Sequence, residues 1–290
     1  MEFREVLVED KEWVDRIRQD YSCSILANSF STLFLWKEVL GLSIFLEKDF
    51  FVVKSQYYGK NSYFFPCGNQ EKVKYFIESH RMEMDFCLIY MSQKDVEFVN
   101  YNFEDNFILT PARESWEYIF CREEHLRLAG KRYAKIRYEE EHLKKHYELK
   151  SEPISEETVS DAIMVIDAWE KRQGNSYMNG FDDYWVAEKA LRHWKELMVQ
   201  GCLVYVNGKP GAIVMGTEVN PDTFGIQIAK LSTPITGLLY YSLHSCFRMI
   251  SDQYKYINGD DDLGVSGIRL HKNKMRPCLM NEIWKGTVNP

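Results

Sequence analysis

The stretch from Cys202 to Asn258 constrains the fold more than any other part of the chain. Three β-type runs, Cys202–Val206, Ala212–Thr217 and Thr223–Leu231, follow each other closely. Asn207-Gly208 between the first two is a strong two-residue hairpin signal, because both residues tolerate the left-handed backbone such a turn needs. A helix pattern over Leu238–Tyr254 and a further strand over Lys255–Asn258 come next. Upstream, Ser155 with Glu157 and Thr158 behind it predicts a capped helix over Glu156–Arg172, entered from a connector at Ser151–Ser155. Gly174–Gly180 reads as a loop, and Asp182–Val199 as a strongly amphipathic helix. A short helix and a strand over Leu279–Lys285 complete this half.

Helix, helix, antiparallel strands, helix, strand, helix, strand is the order of an acyltransferase-type α+β fold. The first part of the chain repeats it more loosely. Trp13–Leu40 reads as helical, with polar interruptions near Asn28–Ser31. Strands are expected at Leu42–Leu46, Phe50–Lys54 and Tyr63–Phe65, divided by Lys48-Asp49 and Gly59-Lys60-Asn61. Gln70–Ser79 then looks helical and Phe86–Tyr90 like a buried strand. The length of 290 residues suits two domains. The expectation is a tandem of α+β units over 1–130 and 131–290, each a mostly antiparallel mixed sheet flanked by helices.

Lys and Arg number 36 and Asp and Glu 43, a net charge of −7. That excludes a generally basic nucleic-acid binder, and no specific DNA binding is expected, but a local basic patch is allowed. The longest apolar stretches, such as Leu238–Leu243, fall far short of the roughly 20 residues that span a bilayer. Met1 to Trp13 is acidic and mixed, unlike a secretory leader. The seven cysteines are odd in number and show no C-x-x-C spacing. Reduced, mostly buried thiols in a cytoplasmic protein are expected.

Two segments stand out chemically. Arg127 to Arg137 carries five basic residues and no acid. On one continuous helix over Leu128–Tyr147, Arg127, Lys131 and Lys135 would form a single ridge, with Tyr133 and Arg137 on a neighbouring face. Such a ridge suits the phosphates of a nucleotide or an RNA acceptor stem. A solvated face balanced by Glu139, Glu140 and Glu141 is the plain alternative. The second segment, Tyr256 to Lys272, runs from a strand through an acidic, glycine-rich loop into a short helix with Arg269 and Lys272 on one side. Asp260–Asp262 lack EF-hand spacing, so no metal site is expected. Asp262 as a helix cap, or Arg269 and Lys272 as phosphate ligands, are both compatible with the pattern.

Two further features are weaker. Ser232–Gly237 lies where coenzyme A-dependent N-acyltransferases place a pyrophosphate loop, but the glycine-rich signature is absent and Thr236 reads better as a helix cap. His142 and His146 are spaced i, i+4 without the H-E-x-x-H order and read as exposed polar residues.

The same segments resemble a bacterial family related to the C-terminal catalytic domain of phosphatidylglycerol lysyltransferases, and more distantly the Fem-type peptidoglycan aminoacyltransferases. Ala27-Asn28-Ser29-Phe30 through Leu35-Trp36 is similar to "F-x-N-L-Y-x-W", and Tyr63 to Gly68 to "Y-x-x-P-x-G". Leu126 to Arg137 is similar to "L-x-G-K-K-Y-x-K-x-R-N". Asp167, Trp169, Glu188 and the Gly208 hairpin fall in the expected order. Asn258-x-x-x-Asp262-Leu-Gly264-x-x-Gly267-x-Arg269-x-x-Lys272 resembles "N-x-x-Q-D-L-G-x-x-G-L-R-x-x-K", the most specific match. Tyr138 replaces the family's Asn, Gly259 an Arg, Asp261 a Gln, and Ala229 the Glu of "H-x-E-K".

The resemblance implies tandem GNAT-like acyltransferase domains and a transfer of an activated acyl or aminoacyl group to an amine or hydroxyl. It implies aminoacyl-tRNA or acyl-coenzyme A as the donor, with no tightly bound cofactor. Lys131, Lys135, Arg137, Arg269 and Lys272 would hold donor phosphates. Lys230 would end the central strand facing the cleft, and Asn258 and Asp262 would orient the loop. The alternative is an inactive GNAT-like binding module that keeps the phosphate-binding cleft, as Ala229 would suggest.

Overall fold

The computed structural model describes residues 1–59, 61–173 and 183–289. In chain order the elements begin with α1 (Lys11–Asp20), α2 (Phe30–Trp36), β1 (Leu42–Glu47), β2 (Phe50–Ser55), β3 (Ser62–Phe64) and β4 (Cys67–Gly68). They continue with α3 (Gln70–His80), β5 (Cys87–Met91), α4 (Gln93–Phe103), β6 (Phe107–Pro111), β7 (Glu117–Cys121), α5 (Arg122–Arg127), α6 (Ala134–His146) and β8 (Leu149–Pro153). The rest are α7 (Val159–Gln173), α8 (Tyr184–Arg192), β9 (Gln200–Val206), β10 (Lys209–Asn220), β11 (Thr223–Leu231), α9 (Leu238–Met249), β12 (Tyr256–Asn258), α10 (Ser266–Lys274), β13 (Leu279–Asn281) and β14 (Trp284–Val288). They form two compact units. The first comprises Met1–Glu117, Asp261–Gly264 and Met280–Pro290; the second comprises Tyr118–Asp260 and Val265–Leu279.

The first unit is built on a sheet ordered β1-β2-β3-β5-β14-β6, with β4 also paired to β2. Its β3–β5 pair is parallel and is bridged by α3, while β1–β2, β5–β14 and β14–β6 are antiparallel. The aromatic pair Phe50-Phe51 and the β-branched pair Val52-Val53 of β2 suit a pleated surface, and the Lys48-Asp49 turn fixes its register with β1. The core is largely aromatic: Phe50, Tyr63, Phe65, Phe76, Phe86, Phe103 and Phe107 pack with Val73, Val96 and Val99 from α3 and α4. Both helices are capped from the sequence. Asn69 Oδ1 accepts from Glu71 N at 3.0 Å, and Ser92 and Asp95 form a reciprocal capping box.

The second unit's sheet runs β7-β12-β11-β10-β9-β8, with β13 on the free edge of β7. β11 and β12 are parallel and connected through α9, whereas β8–β9, β9–β10, β10–β11 and β12–β7 are antiparallel. Asn207 and Gly208 have φ of 51° and 74°, the double left-handed turn their sequence predicts. β10 and β11 slip register between Met215 and Gly216, where a Cβ on Gly216 would lie 1.8 Å from Gly225 O. Only glycine allows that approach.

Several expectations are corrected. The helix expected over Trp13–Leu40 is two helices, since the chain leaves helical geometry after α1 and Ser29 caps α2. The single basic helix is likewise broken. Leu128 and Gly130 take φ of 47° and 80°, so Arg127 lies on α5, Lys131 in a short 3-10 turn and Lys135 on α6. No common ridge exists. Ser151–Ser155 is not a plain connector, because Ser151–Pro153 end the edge strand β8. The elements α4 and β6 have no counterpart among the expected ones. Cys23 and Cys67 are disulfide-bonded rather than free, and of the other cysteines Cys202 and Cys246 are buried while Cys278 is exposed. The loop expected at Gly174–Gly180 lies outside the described residues. Among the described residues no helix is long and apolar enough to cross a membrane.

Candidate active site

Side chains alternate along β11, so Ala229 faces solvent and Lys230 the interior. Lys230 is only 8% exposed. Its Nζ sits 3.5 Å from the centroid of the Trp169 ring on α7, a cation–π arrangement, and donates to Asp183 Oδ2 just ahead of α8. Burial lowers the Lys230 ammonium below the ordinary lysine range, while the carboxylates of Asp183 and Glu170 oppose the shift. Around it, Tyr184 donates to Asp167 Oδ1 at 2.9 Å, and that carboxylate together with burial pushes the phenol up to about 12. Arg172 Nη1 donates to Leu231 O at 3.0 Å, tying α7 to the end of β11. The arrangement is a desolvated, oriented cation that can donate hydrogen bonds to a developing negative charge.

The Asn258–Lys272 segment is held largely by its own side chains. Asn258 is fully buried, and its Oδ1 accepts from Asp260 N at 2.9 Å. Lys272 Nζ donates to Gly259 O at 2.7 Å and lies 5.6 Å from the Tyr118 ring centroid. Asp262, also fully buried, accepts from Gly264 N at 2.9 Å and from Arg113 Nη1 at 3.1 Å. It does not cap α10, whose N-cap residue is Val265 with no side-chain cap. Arg269 is half-buried on α10.

The basic segment divides in the same way. Lys131 and Lys135 are exposed, the latter 3.8 Å from Glu139. Arg137 turns back to donate to Leu128 O and Gly130 O, the carbonyls freed where the helix breaks. Arg276, just beyond α10, donates through Nε to Arg132 O at 3.4 Å. His271 on α10 stacks on Tyr240 of α9 with ring centroids 5.2 Å apart. The two basic segments are therefore neighbours within the second unit, although their ammonium and guanidinium groups mostly face backbone carbonyls or local acids. Behind them, α5, α6 and α9 are joined by a buried chain: Glu140 Oε1 meets His244 Nδ1, and His244 Nε2 lies 3.1 Å from His125 Nδ1. Burial, with the His244 ring close by, pushes His125 down to about 3. The Ser232–Gly237 loop ends in Gly237 at φ 86°, and Gly237, not Thr236, is the N-cap position of α9. His142 and His146 are exposed, as expected. Among the described residues no cluster of three His, Cys, Asp or Glu side chains is placed to hold a metal ion.

The family model for the C-terminal region of phosphatidylglycerol lysyltransferase matches residues 18–281. The chain belongs to this family. Among solved structures it is similar to a conserved protein of unknown function from Bacteroides thetaiotaomicron, with 23% identity, a TM-score of 0.89 and 99% of each chain covered. It is also similar to L-PGS from Bacillus licheniformis, at 15% identity and a TM-score of 0.65 over 96% of this chain and 91% of that one. FemX matches at 9% identity and a TM-score of 0.61, covering 100% and 98% of the two chains. At these identities the likeness is one of fold, and with the mixed sheets above it makes the protein an α+β protein of two mixed-sheet units with the fold of L-PGS and FemX. No curated protein matches the chain.

Two departures of this phosphatidylglycerol lysyltransferase relative now have a structural setting. Ala229 is on the opposite face of β11 from Lys230, so a carboxylate there would not neighbour the lysine. Asp183 is the carboxylate that does, and sequence reasoning missed it; one acid among 43, with no periodicity around it, carries no signal. At Gly259 a Cβ would lie 2.5 Å from Phe120 Cε2, so the Phe120 ring occupies the space an arginine side chain would enter. The Glu140–His244–His125 chain was missed as well, because its contacts join residues 104 and 119 positions apart along the sequence.

Proposed function

We propose that this protein transfers an acyl or aminoacyl group from a phosphate-bearing donor to an amine or hydroxyl acceptor, with Lys230 at the reacting centre. Aminoacyl-tRNA is the first candidate donor and acyl-coenzyme A the second, and the cytoplasm is the compartment where both occur. Family membership supports acyl or aminoacyl transfer in general. The observation that carries the assignment within this chain is the buried Lys230 ammonium, clamped between the Trp169 ring and Asp183.

In such a reaction the acceptor attacks the donor's carbonyl carbon. The C–O or C–S bond to the carrier breaks, and the proton lost by the nucleophile ends on the leaving oxygen or sulfur. Lys230 donates hydrogen bonds to the oxyanion that forms between these steps, a contribution of about 10²–10³ in rate for a comparable donor. Asp183 and Trp169 keep the ammonium in place and charged. Asn258, through Asp260 N, and Asp262, through Gly264 N, set the backbone between β12 and α10. Lys131, Lys135 and Arg269 hold donor phosphates directly. Arg137 and Lys272, whose head groups engage carbonyls, position the segments that carry them.

Titration with charged tRNA and with acetyl-coenzyme A, following release of the acyl group, tests this reading. Turnover with either donor that falls about 100-fold in Lys230→Met supports it; turnover unaffected by that substitution refutes it. The second reading, a binding module, is favoured by the departures from the family's motifs taken together, at Tyr138, Ala229, Gly259 and Asp261. Tight donor binding with no acyl release would select it.

A further inference from the structure

The first unit contains a cavity of about 480 Å³ that the proposed chemistry does not use. Its wall is formed by the loop after α1, by β4, by the N-terminal ends of α3 and α4, and by Met280–Ile283. We propose that this cavity is a binding site for a primary ammonium group carried on an apolar stem. The volume lies within the usual range for small-ligand sites. The inference concerns the first unit alone and stands whether or not Lys230 supports transfer.

Three observations define the ligand. The first is the apolar part of the wall: Phe65, Phe98 and Met280 offer a stem rings and a thioether to pack against. The second is that the polar part is rich in acceptors. Asn28 is 5% exposed, and its carboxamide oxygen is buried without a hydrogen-bond partner among the described residues. An orphaned acceptor of this kind costs about 1–3 kcal/mol, which a ligand N–H recovers once the carboxamide turns into the cavity. Asp95 shares the wall, with its Oδ2 accepting from Ser92 N and Ser92 Oγ at 2.7 Å each.

The third observation disfavours an anion. Helix N-termini ordinarily attract negative charge, but here side chains already take part of the donor set of both. Asn69 Oδ1 takes Glu71 N and Lys72 N, Ser92 Oγ takes Asp95 N, and Asp95 takes Ser92 N. Asp95, itself a carboxylate at the N-terminus of α4, repels a second anion in this wall. The other charged side chains of the wall are Lys94 and Glu282, both exposed, so with Asp95 the balance is one negative charge. Burial also pushes Asp95 up to about 6, and an ammonium docked beside it would favour the carboxylate form. The Cys23–Cys67 disulfide lies in the wall and ties the loop after α1 to β4, so the site is partly preformed.

The test is calorimetric titration of the intact oxidised chain at pH 7.5 with 3-phenylpropylamine, 3-phenylpropan-1-ol and 3-phenylpropionate. The amine is expected to bind at least about tenfold more tightly than the alcohol or the acid. Asp95→Asn, which keeps a capping oxygen, and Asn28→Leu should each remove most of that preference while leaving the alcohol's affinity alone. Lys230→Met should change none of the three. Equal affinities for the three probes, or an amine preference intact in both wall variants, would overturn the site. Far-ultraviolet circular dichroism identifies any variant that has not folded, and the other variant then decides.

Discussion

Lys230 holds a full charge at 8% exposure, with one carboxylate and one indole for company. The two halves of that ion pair are not equivalent. Asp183 is about one-third exposed and can be solvated alone, whereas Lys230 cannot. Removing the lysine therefore relieves a desolvated charge, and removing the aspartate strands one. Lys230→Met should leave the thermal midpoint unchanged or raise it while lowering turnover about 100-fold. Asp183→Asn should lower the midpoint and depress the lysine further. Thermal scans beside the acyl-release assay separate the two; a Lys230→Met protein that both melts early and loses activity would make the lysine structural. Asp95 gives a second residue-scale test. Burial raises it from an ordinary 3.8 to about 6, so between those values the folded chain holds more protons at this group than the unfolded chain. Its contribution to stability accordingly declines as pH rises through that window. Urea midpoints at pH 4.5 and 6.5 should show a smaller loss on raising the pH in Asp95→Asn than in the unaltered protein.

Among the elements, glycines at positive φ mark where helices begin. A Cβ added to Gly130, at φ 80°, would meet nothing within 4 Å, whereas at Gly237, φ 86°, it would lie 2.4 Å from Glu139 O. Gly130→Ala should cost about 1 kcal/mol of backbone strain, and Gly237→Ala clearly more because the α6 backbone must also retreat. Equal urea midpoints for the two variants would contradict that packing. This break between α5 and α6 also marks the limit of what periodicity reveals. The i, i+4 spacing of Arg127, Lys131 and Lys135 is that of a helix, but Leu128 in a left-handed conformation has no sequence signature, and the carbonyls it frees draw Arg137 inward. The aromatic and β-branched runs of β2, β10 and β11 were legible because their composition has one good use. β8, with Lys150, Glu152 and Pro153, was not, since it is a strand by virtue of β9 beside it. α4 was legible in principle: Ser92 and Asp95 are spaced as a capping box. Lys230, Asn258 and Asp262 stand out in the sequence through its motifs, but only folding brings Asp183 and Trp169 to the lysine.

At the scale of the whole molecule, the first unit is completed by chain that returns after the second. Its Cys23–Cys67 bridge spans 44 residues of sequence. A loop of that size is worth up to about 4 kcal/mol by restricting the unfolded chain. Reduction should therefore lower the unfolding midpoint of the unaltered protein and leave Cys23→Ser insensitive to reductant. The sharper test is β14. It pairs with β5 on one side, Gly286 opposite Leu88, and with β6 on the other, Gly286 opposite Leu109, so it is an interior strand although it lies at residues 284–288. Trp284 and Val288 also pack against the aromatic core. Removing residues 283–290 would leave β6 without its neighbour and expose the inner edge of β5, a penalty no local rearrangement can offset. The second unit's strands β8 to β12 keep their pairings without it. Hydrogen exchange on the truncated chain should show protection lost across β5, β6 and α4 but retained in β9 to β11. Protection lost everywhere would mean that the second unit cannot stand without the first, and protection retained in β5 would remove β14 from the centre of the sheet.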